Sequence, residues 1–170
     1  NKFISKQRSS KEILKVSNLN VSYDLNKSFL DFSKKKFKAV NNLSFKLIEE
    51  ETLGVVGESG SGKSSLAQAI LRLIKFEGEV FFKKELVSSL KINDFRPLRK
   101  NIQIIFQDPF ASLSPRLTIE EIIGEGLNVH NIGENKYEKK ELVKKIISEV
   151  GLDEQMLNRY PHEFSGGQRQ

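Results

Sequence analysis

Residues 57–64 of the chain read GESGSGKS and match the spacing G-x-x-x-x-G-K-[ST]. Glycines at these positions let successive backbone N–H groups turn inward around phosphate oxygens. Lys63 supplies a mobile charge for the β- and γ-phosphates, the Ser64 hydroxyl can ligate Mg²⁺, and Ser65 can bond the α-phosphate. The pattern therefore predicts a nucleoside triphosphate site made by Gly57, Glu58, Ser59, Gly60, Ser61, Gly62, Lys63, Ser64 and Ser65.

The residues around this loop fit the elements that must position it. An apolar stretch at 52–56 precedes the loop and predicts a strand. The loop is followed by apolar residues at helical spacing, and a mostly buried helix is expected there. This context favours a phosphate loop over a glycine- and serine-rich linker, but kinases, GTPases and several ATPases all share such a loop. The apolar positions of the expected helix are Leu66, Ala67, Ile70, Leu71, Leu73 and Ile74.

The remaining pattern predicts β-structure before the loop and helices late in the chain. Residues 12–23 indicate one or two strands with an asparagine-rich bend, followed by a charged, turn-like insertion at 24–38, a second strand and an acidic turn at 49–51. The apolar runs at 78–82 and 102–106 predict further strands, separated by a polar break at 96–100.

A helical segment is expected over residues 117–160. Thr118 and Glu121 have the spacing of a capping box, and Gly151 can end the second helix. The apolar stripe of that second helix comprises Val143, Ile146, Ile147 and Val150.

Composition sets outer limits. The chain has 170 residues, a net charge of +6 and 38% hydrophobic residues, enough for one globular domain with a core. It has no cysteine for disulfides or thiolate zinc sites, and no apolar run near the roughly 20 residues of a membrane-spanning helix. Its only methionine is Met156, so we expect the chain to be part of a longer polypeptide. The lysine-rich runs at 33–38 and 136–145 are interpreted as solvated surface rather than as a binding patch.

Two segments after the phosphate loop resemble sequence motifs of a known family. IQIIFQDPFASLSPRLTI at 102–119 and EFSGGQRQ at 163–170 follow the phosphate loop in the order and rough separation seen in ATP-binding cassette (ABC) ATPases. The first resembles the Q-loop, with Gln107 as its glutamine, and the second resembles the LSGGQ signature, with Phe164 in place of leucine. Within that family, residues 12–170 most resemble the ATPases of the dipeptide, oligopeptide and microcin C-type importers.

The resemblance implies a role for each matching residue. Lys63 and Gln107 would be catalytic, with Gln107 approaching Mg²⁺ together with Ser64 and also approaching the attacking water. Tyr23 would stack on adenine; the alternatives are a plain core or turn tyrosine, with Phe37 as the other aromatic candidate. The signature residues Ser165, Gly166, Gly167 and Gln168 would face the γ-phosphate of ATP held by an opposing unit.

The implied fold is α/β, a P-loop NTPase core of the ABC type with an N-terminal antiparallel β-subdomain and an inserted α-helical subdomain at about 117–160. Residues 1–11 would be an N-terminal extension or linker. Residues 12–170 would be an incomplete nucleotide-binding domain, since the Walker B aspartate, the general base and the switch histidine are not found by Gln170. We therefore expect the chain itself to bind nucleotide weakly and to hydrolyse it poorly or not at all.

The implied cofactors are ATP and Mg²⁺. The implied partners are a second ABC ATPase unit (as a homodimer, a heterodimer or a fused tandem), membrane permease subunits and, indirectly, an extracytoplasmic peptide-binding protein. The expected location is peripheral, at the cytoplasmic face of the membrane, without nucleic acid. Two alternatives stay open: a soluble ABC-type ATPase acting on nucleic acid or ribosomes, and a non-catalytic fragment.

Overall fold

The computed structural model describes residues 11–24, 36–108 and 112–170. The chain divides into one unit that ends at Ile102 and a second that begins at Gln103. The predicted N-terminal extension and most of the predicted insertion at 24–38 lie outside the described residues.

The described part of the first unit contains a four-stranded antiparallel sheet. The strands are β1 (Glu12–Asp24), β2 (Lys36–Ile48), β3 (Glu77–Phe82) and β4 (Glu85–Leu86). Their order in the sheet is β2-β1-β3-β4. The long first strand bends at Asn18, as predicted for its asparagine-rich stretch. Asn18 has a φ of 51° and lies between register shifts. The N–H of Asn18 donates to Ser44 Oγ (2.8 Å), and this bond fixes the bend against the second strand.

Helix α1 (Lys63–Ile70) packs on this sheet and is shorter than its apolar pattern predicts. Arg72 takes a φ of 55°, which ends the helical path, and its Nη1 donates to the carbonyl of Val87 at 3.0 Å. Its guanidinium also lies 5.0 Å from the ring centroid of Phe95 at the end of helix α2 (Ile92–Phe95). The core of the unit contains Val16, Leu19, Val21, Val40, Leu66, Ala69, Val80, Phe82, Val87 and Phe95.

Two strand predictions are wrong. Residues 52–56 and 102–106 form no strand, and Val56 is 94% exposed and Ile105 80% exposed. A strand of a parallel sheet is stable only when neighbours pair with its edges and cover its faces. Among the described residues, the four strands pair only with one another, so these two apolar runs have no ladder to join.

The second unit is helical, as predicted. It contains α3 (Ile119–Val129), α4 (Lys136–Glu149) and the short α5 (Gly166–Arg169). Gly151, at a φ of 78°, follows the end of α4 as predicted, because this left-handed conformation suits glycine. Within the predicted stripe of α4, Val143 and Ile147 are buried whereas Ile146 and Val150 are exposed. The buried cluster consists of Leu127, Val143, Ile147 and Leu157, with Met156 packed against it.

In the part of the chain that the structure describes, no helix has both the length and the apolar character needed to cross a membrane.

Candidate functional site

The glycine-rich loop makes a tight turn before α1. The N–H of Ser61 donates to the carbonyl of Glu58 at 3.2 Å, and Gly60 has a φ of 80°. Gly62 is the N-cap of α1, with a φ of 91° and a ψ of 4°. A Cβ on Gly57 would lie 2.6 Å from Ser61 Oγ, so the loop closes tightly upon itself. The glycines are therefore used for backbone turns that other residues adopt poorly.

Lys63 points back over this loop. Its Nζ donates to the carbonyls of Gly57 and Glu58, both at 2.7 Å, and to Ser61 Oγ at 3.3 Å. An ammonium group has three protons and no acceptor, so these contacts match its full donor capacity. The charge is thus held above the loop, where it can exchange loop oxygens for those of a phosphate.

The backbone N–H groups at the start of α1 receive no side-chain cap from the N-cap residue. Gly62 provides no side-chain cap and the first turn has no acidic residue, although the first backbone N–H groups of a helix have no helical partner. Helix α3 differs in this respect: the Thr118 hydroxyl accepts the N–H of Glu121 (3.3 Å), and the Glu121 carboxylate accepts the N–H of Thr118 (2.8 Å). The N-terminus of α1 therefore presents backbone N–H groups and a positive field that suit an anion.

Two aromatic residues pair across strands β1 and β2, and one of them contacts the first turn of α1. Tyr23 and Phe37 are opposite each other in the register of β1 and β2, and their side chains are 41% and 48% exposed. The hydroxyl of Tyr23 lies 3.0 Å from Ser65 Oγ, which belongs to the first turn of α1. The structure thus places Tyr23 in contact with the predicted phosphate site, a contact that links residues 42 positions apart and that the sequence pattern does not indicate.

The other predicted site residues lie in the second unit. Gln107 is exposed and outside any helix or strand. Ser165 is the N-cap of α5: its N–H donates to Gln168 Oε1 (3.0 Å) and its hydroxyl accepts the N–H of Gln168 (3.4 Å). Gly166 and Gly167 form the exposed first turn of that helix.

The phosphate loop can hold a nucleotide with its metal ion. Ser64 exposes its hydroxyl in the first turn of α1, and a hydroxyl oxygen is a ligand that Mg²⁺ accepts alongside phosphate oxygens and water. Within the described ranges, His, Cys, Asp and Glu form no group of three or more suited to a metal ion.

Two features together indicate the class of protein: the glycine-rich loop before the uncapped start of α1, and the Ser-Gly-Gly-Gln segment at the start of α5. The chain belongs to the ABC transporter family, whose model matches residues 40–170. Among solved structures it resembles the dimeric ATP-binding cassette MJ0796 in a post-hydrolysis state with ADP and Pi. The TM-score is 0.77 at 25% identity, over 92% of this chain and 65% of that one.

Curated relatives narrow the class further. The chain is 43% identical, over 94% of its length, to the oligopeptide transport ATP-binding protein OppF of Streptococcus mutans. It is 47% identical, over 93% of its length, to the protein of the same name in Haemophilus influenzae. These matches cover 50% and 48% of the relatives, so the chain spans about half their length.

Proposed function

We propose that the chain binds ATP with Mg²⁺ through residues 57–65 and serves as an ATP-binding part of an oligopeptide importer. The observation that carries the nucleotide assignment is the start of α1, which lacks a side-chain cap and an acidic residue and has the Lys63 ammonium 2.7 Å from two loop carbonyls. A triphosphate supplies the negative charge that this arrangement favours.

Each predicted residue has a place in this proposal. Lys63 contacts the β- and γ-phosphates, Ser64 ligates Mg²⁺ and Ser65 bonds the α-phosphate. Gln107 contacts the metal ion and the attacking water, and Tyr23, which is 41% exposed, provides a ring that stacks on adenine. The signature residues Ser165, Gly166, Gly167 and Gln168 contact ATP bound to a second ATPase unit.

The partner assignment rests on the relatives. The names of these relatives support oligopeptide transport, and the dimeric cassette supports a second ATPase unit. We propose that the protein works with membrane permease subunits, and indirectly with an extracytoplasmic peptide-binding protein, while lying peripherally at the cytoplasmic face of the membrane. ATP hydrolysis belongs to the whole protein; for the 170-residue chain we propose weak binding and little turnover.

Isothermal titration with Mg-ATP tests the nucleotide assignment. Lys63→Ala removes charge-assisted hydrogen bonds worth about 1.5–3 kcal/mol, so binding should weaken roughly ten- to hundredfold. Lys100→Ala removes the same charge from an exposed position in the first unit and serves as the matched control. Equal affinity in the two variants, with both folded, would contradict the proposal.

Transport is tested in cells that make the protein. Lys63→Ala should abolish uptake of a labelled oligopeptide and leave uptake of free amino acids unchanged. Purification from solubilised membranes should recover a permease. Normal peptide uptake in the variant, or retention on RNA or DNA without a permease, would point instead to a soluble ATPase.

A further inference from the structure

The contact between Tyr23 and Ser65 joins the two halves of the proposed nucleotide site. Ser65 is half-buried in the first turn of α1, and its Oγ lies 3.0 Å from the Tyr23 hydroxyl at the end of β1. Stacking on adenine would need only the ring of Tyr23. The hydroxyl contact gives this residue a second route of action, through the phosphate loop.

We propose that Tyr23 is a positioning residue for phosphate binding: its hydroxyl donates to Ser65 Oγ and thereby directs the Ser65 proton toward the bound phosphate. This inference rests on the proposed nucleotide function. A serine hydroxyl has one proton and two acceptor lone pairs, whereas an ionised phosphate oxygen only accepts. If Ser65 donates to phosphate, Tyr23 must be the donor in the bond between the two hydroxyls.

The position of Tyr23 is fixed by the same two strands that support the loop. Tyr23 pairs with Phe37, and two residues earlier Val21 is fully buried in the core. Farther along β2, a Cβ added to Gly62 would lie 2.0 Å from the carbonyl oxygen of Ala39, so the loop backbone rests directly on that strand. A donor held by this frame restricts the Ser65 rotamer before any ligand binds, which lowers the entropy lost on binding.

Inorganic tripolyphosphate is the probe that separates this role from stacking, because it has no base. We expect Tyr23→Phe, which keeps the ring, to weaken tripolyphosphate binding by roughly two- to tenfold, as for the loss of one neutral hydrogen bond. In a Ser65→Ala background, Tyr23→Phe should cause no further loss. Tyr160→Phe is the matched control, since Tyr160 is also 41% exposed but lies in the second unit.

A second measurement uses the tyrosine emission of the chain, which has three tyrosines and no tryptophan. In a Tyr137→Phe/Tyr160→Phe background only Tyr23 emits. Tripolyphosphate should change that emission, and Ser65→Ala should reduce the change. This readout follows the bond without altering Tyr23 itself.

The outcomes distinguish this inference from the proposed function. Unchanged or tighter tripolyphosphate binding in Tyr23→Phe would overturn the positioning role, and the nucleotide function would still stand if Lys63→Ala lost both ATP and tripolyphosphate. Equal losses from Tyr23→Phe with and without Ser65 would also overturn it. Failure of the unsubstituted chain to bind either ligand would overturn both proposals.

Discussion

Replacement of Gly62 by alanine tests how the phosphate loop is held against the sheet. Gly62 and Gly60 both have positive φ values, 91° and 80°, but their surroundings differ. A Cβ on Gly62 would lie 2.0 Å from the carbonyl oxygen of Ala39 and 3.5 Å from Val40 Cγ2, whereas a Cβ on Gly60 would meet nothing within 4 Å. The two substitutions therefore share a backbone penalty and differ in the steric one.

The magnitudes follow from these surroundings. Left-handed backbone costs an L-residue about 1–2 kcal/mol, and the lower entropy of the unfolded alanine chain offsets about 0.4–1 kcal/mol. Gly60→Ala should thus lower the free energy of unfolding by about 0–1.5 kcal/mol. Gly62→Ala must also move a strand carbonyl, and overpacking of this kind adds about 1–3 kcal/mol.

Urea and thermal unfolding of both variants measure the difference. At about 2–4 °C per kcal/mol for a chain of this size, Gly62→Ala should unfold about 2–12 °C below Gly60→Ala. Nucleotide affinity should fall with Gly62→Ala, since the loop must shift to accept the methyl group. Equal melting temperatures would show that the close approach of Gly62 to β2 does not hold in solution.

Three further predictions concern the second unit and catalysis. Ile147→Ala removes a fully buried side chain and should cost about 2–5 kcal/mol in denaturant unfolding, whereas the neighbouring Ile146→Ala, 39% exposed, should cost clearly less. Hydrogen bonds from the Thr118 backbone N–H and then from its hydroxyl lower the pKa of Glu121. The contribution of Glu121 to stability is therefore complete above the ordinary glutamate pKa and is lost as pH falls through the folded-state pKa. In Glu121→Gln, the free energy of unfolding should therefore fall less steeply as the solution is acidified. The 170-residue chain should show no Mg²⁺-dependent ATP turnover above background; robust turnover that Lys63→Ala abolishes would contradict this.

Features set by a few neighbouring residues could be predicted from the sequence. The turn-forming phosphate loop, the capping box at Thr118 and the end of α4 before Gly151 each depend on contacts within about four residues. The bend at Asn18 also follows local rules, because asparagine tolerates the left-handed conformation better than most residues. Because these interactions are short-range, the local sequence pattern is enough to predict them.

Features that depend on distant partners could not be predicted. The apolar runs at 52–56 and 102–106 have strand-like composition, yet a strand requires a neighbour, and none of the described strands pairs with them. The helical pattern after the loop likewise continues past Ile70, where the bond from Arg72 to the Val87 carbonyl favours a turn instead. The Tyr23 contact depends on strand register and has no sequence signal.

Three of the helix starts in the described residues, those of α1, α3 and α5, differ in how their first backbone N–H groups are satisfied. Helices α3 and α5 satisfy their first N–H groups with their own Thr118–Glu121 and Ser165–Gln168 pairs. Helix α1 begins instead with an uncapped glycine and a lysine, although a positive charge at a helix N-terminus is unfavourable. The Lys63 contacts with two loop carbonyls offset part of that cost, and a bound triphosphate would offset the rest. The uncapped start of α1 therefore lowers the stability of the helix without nucleotide and makes that stability depend on nucleotide binding.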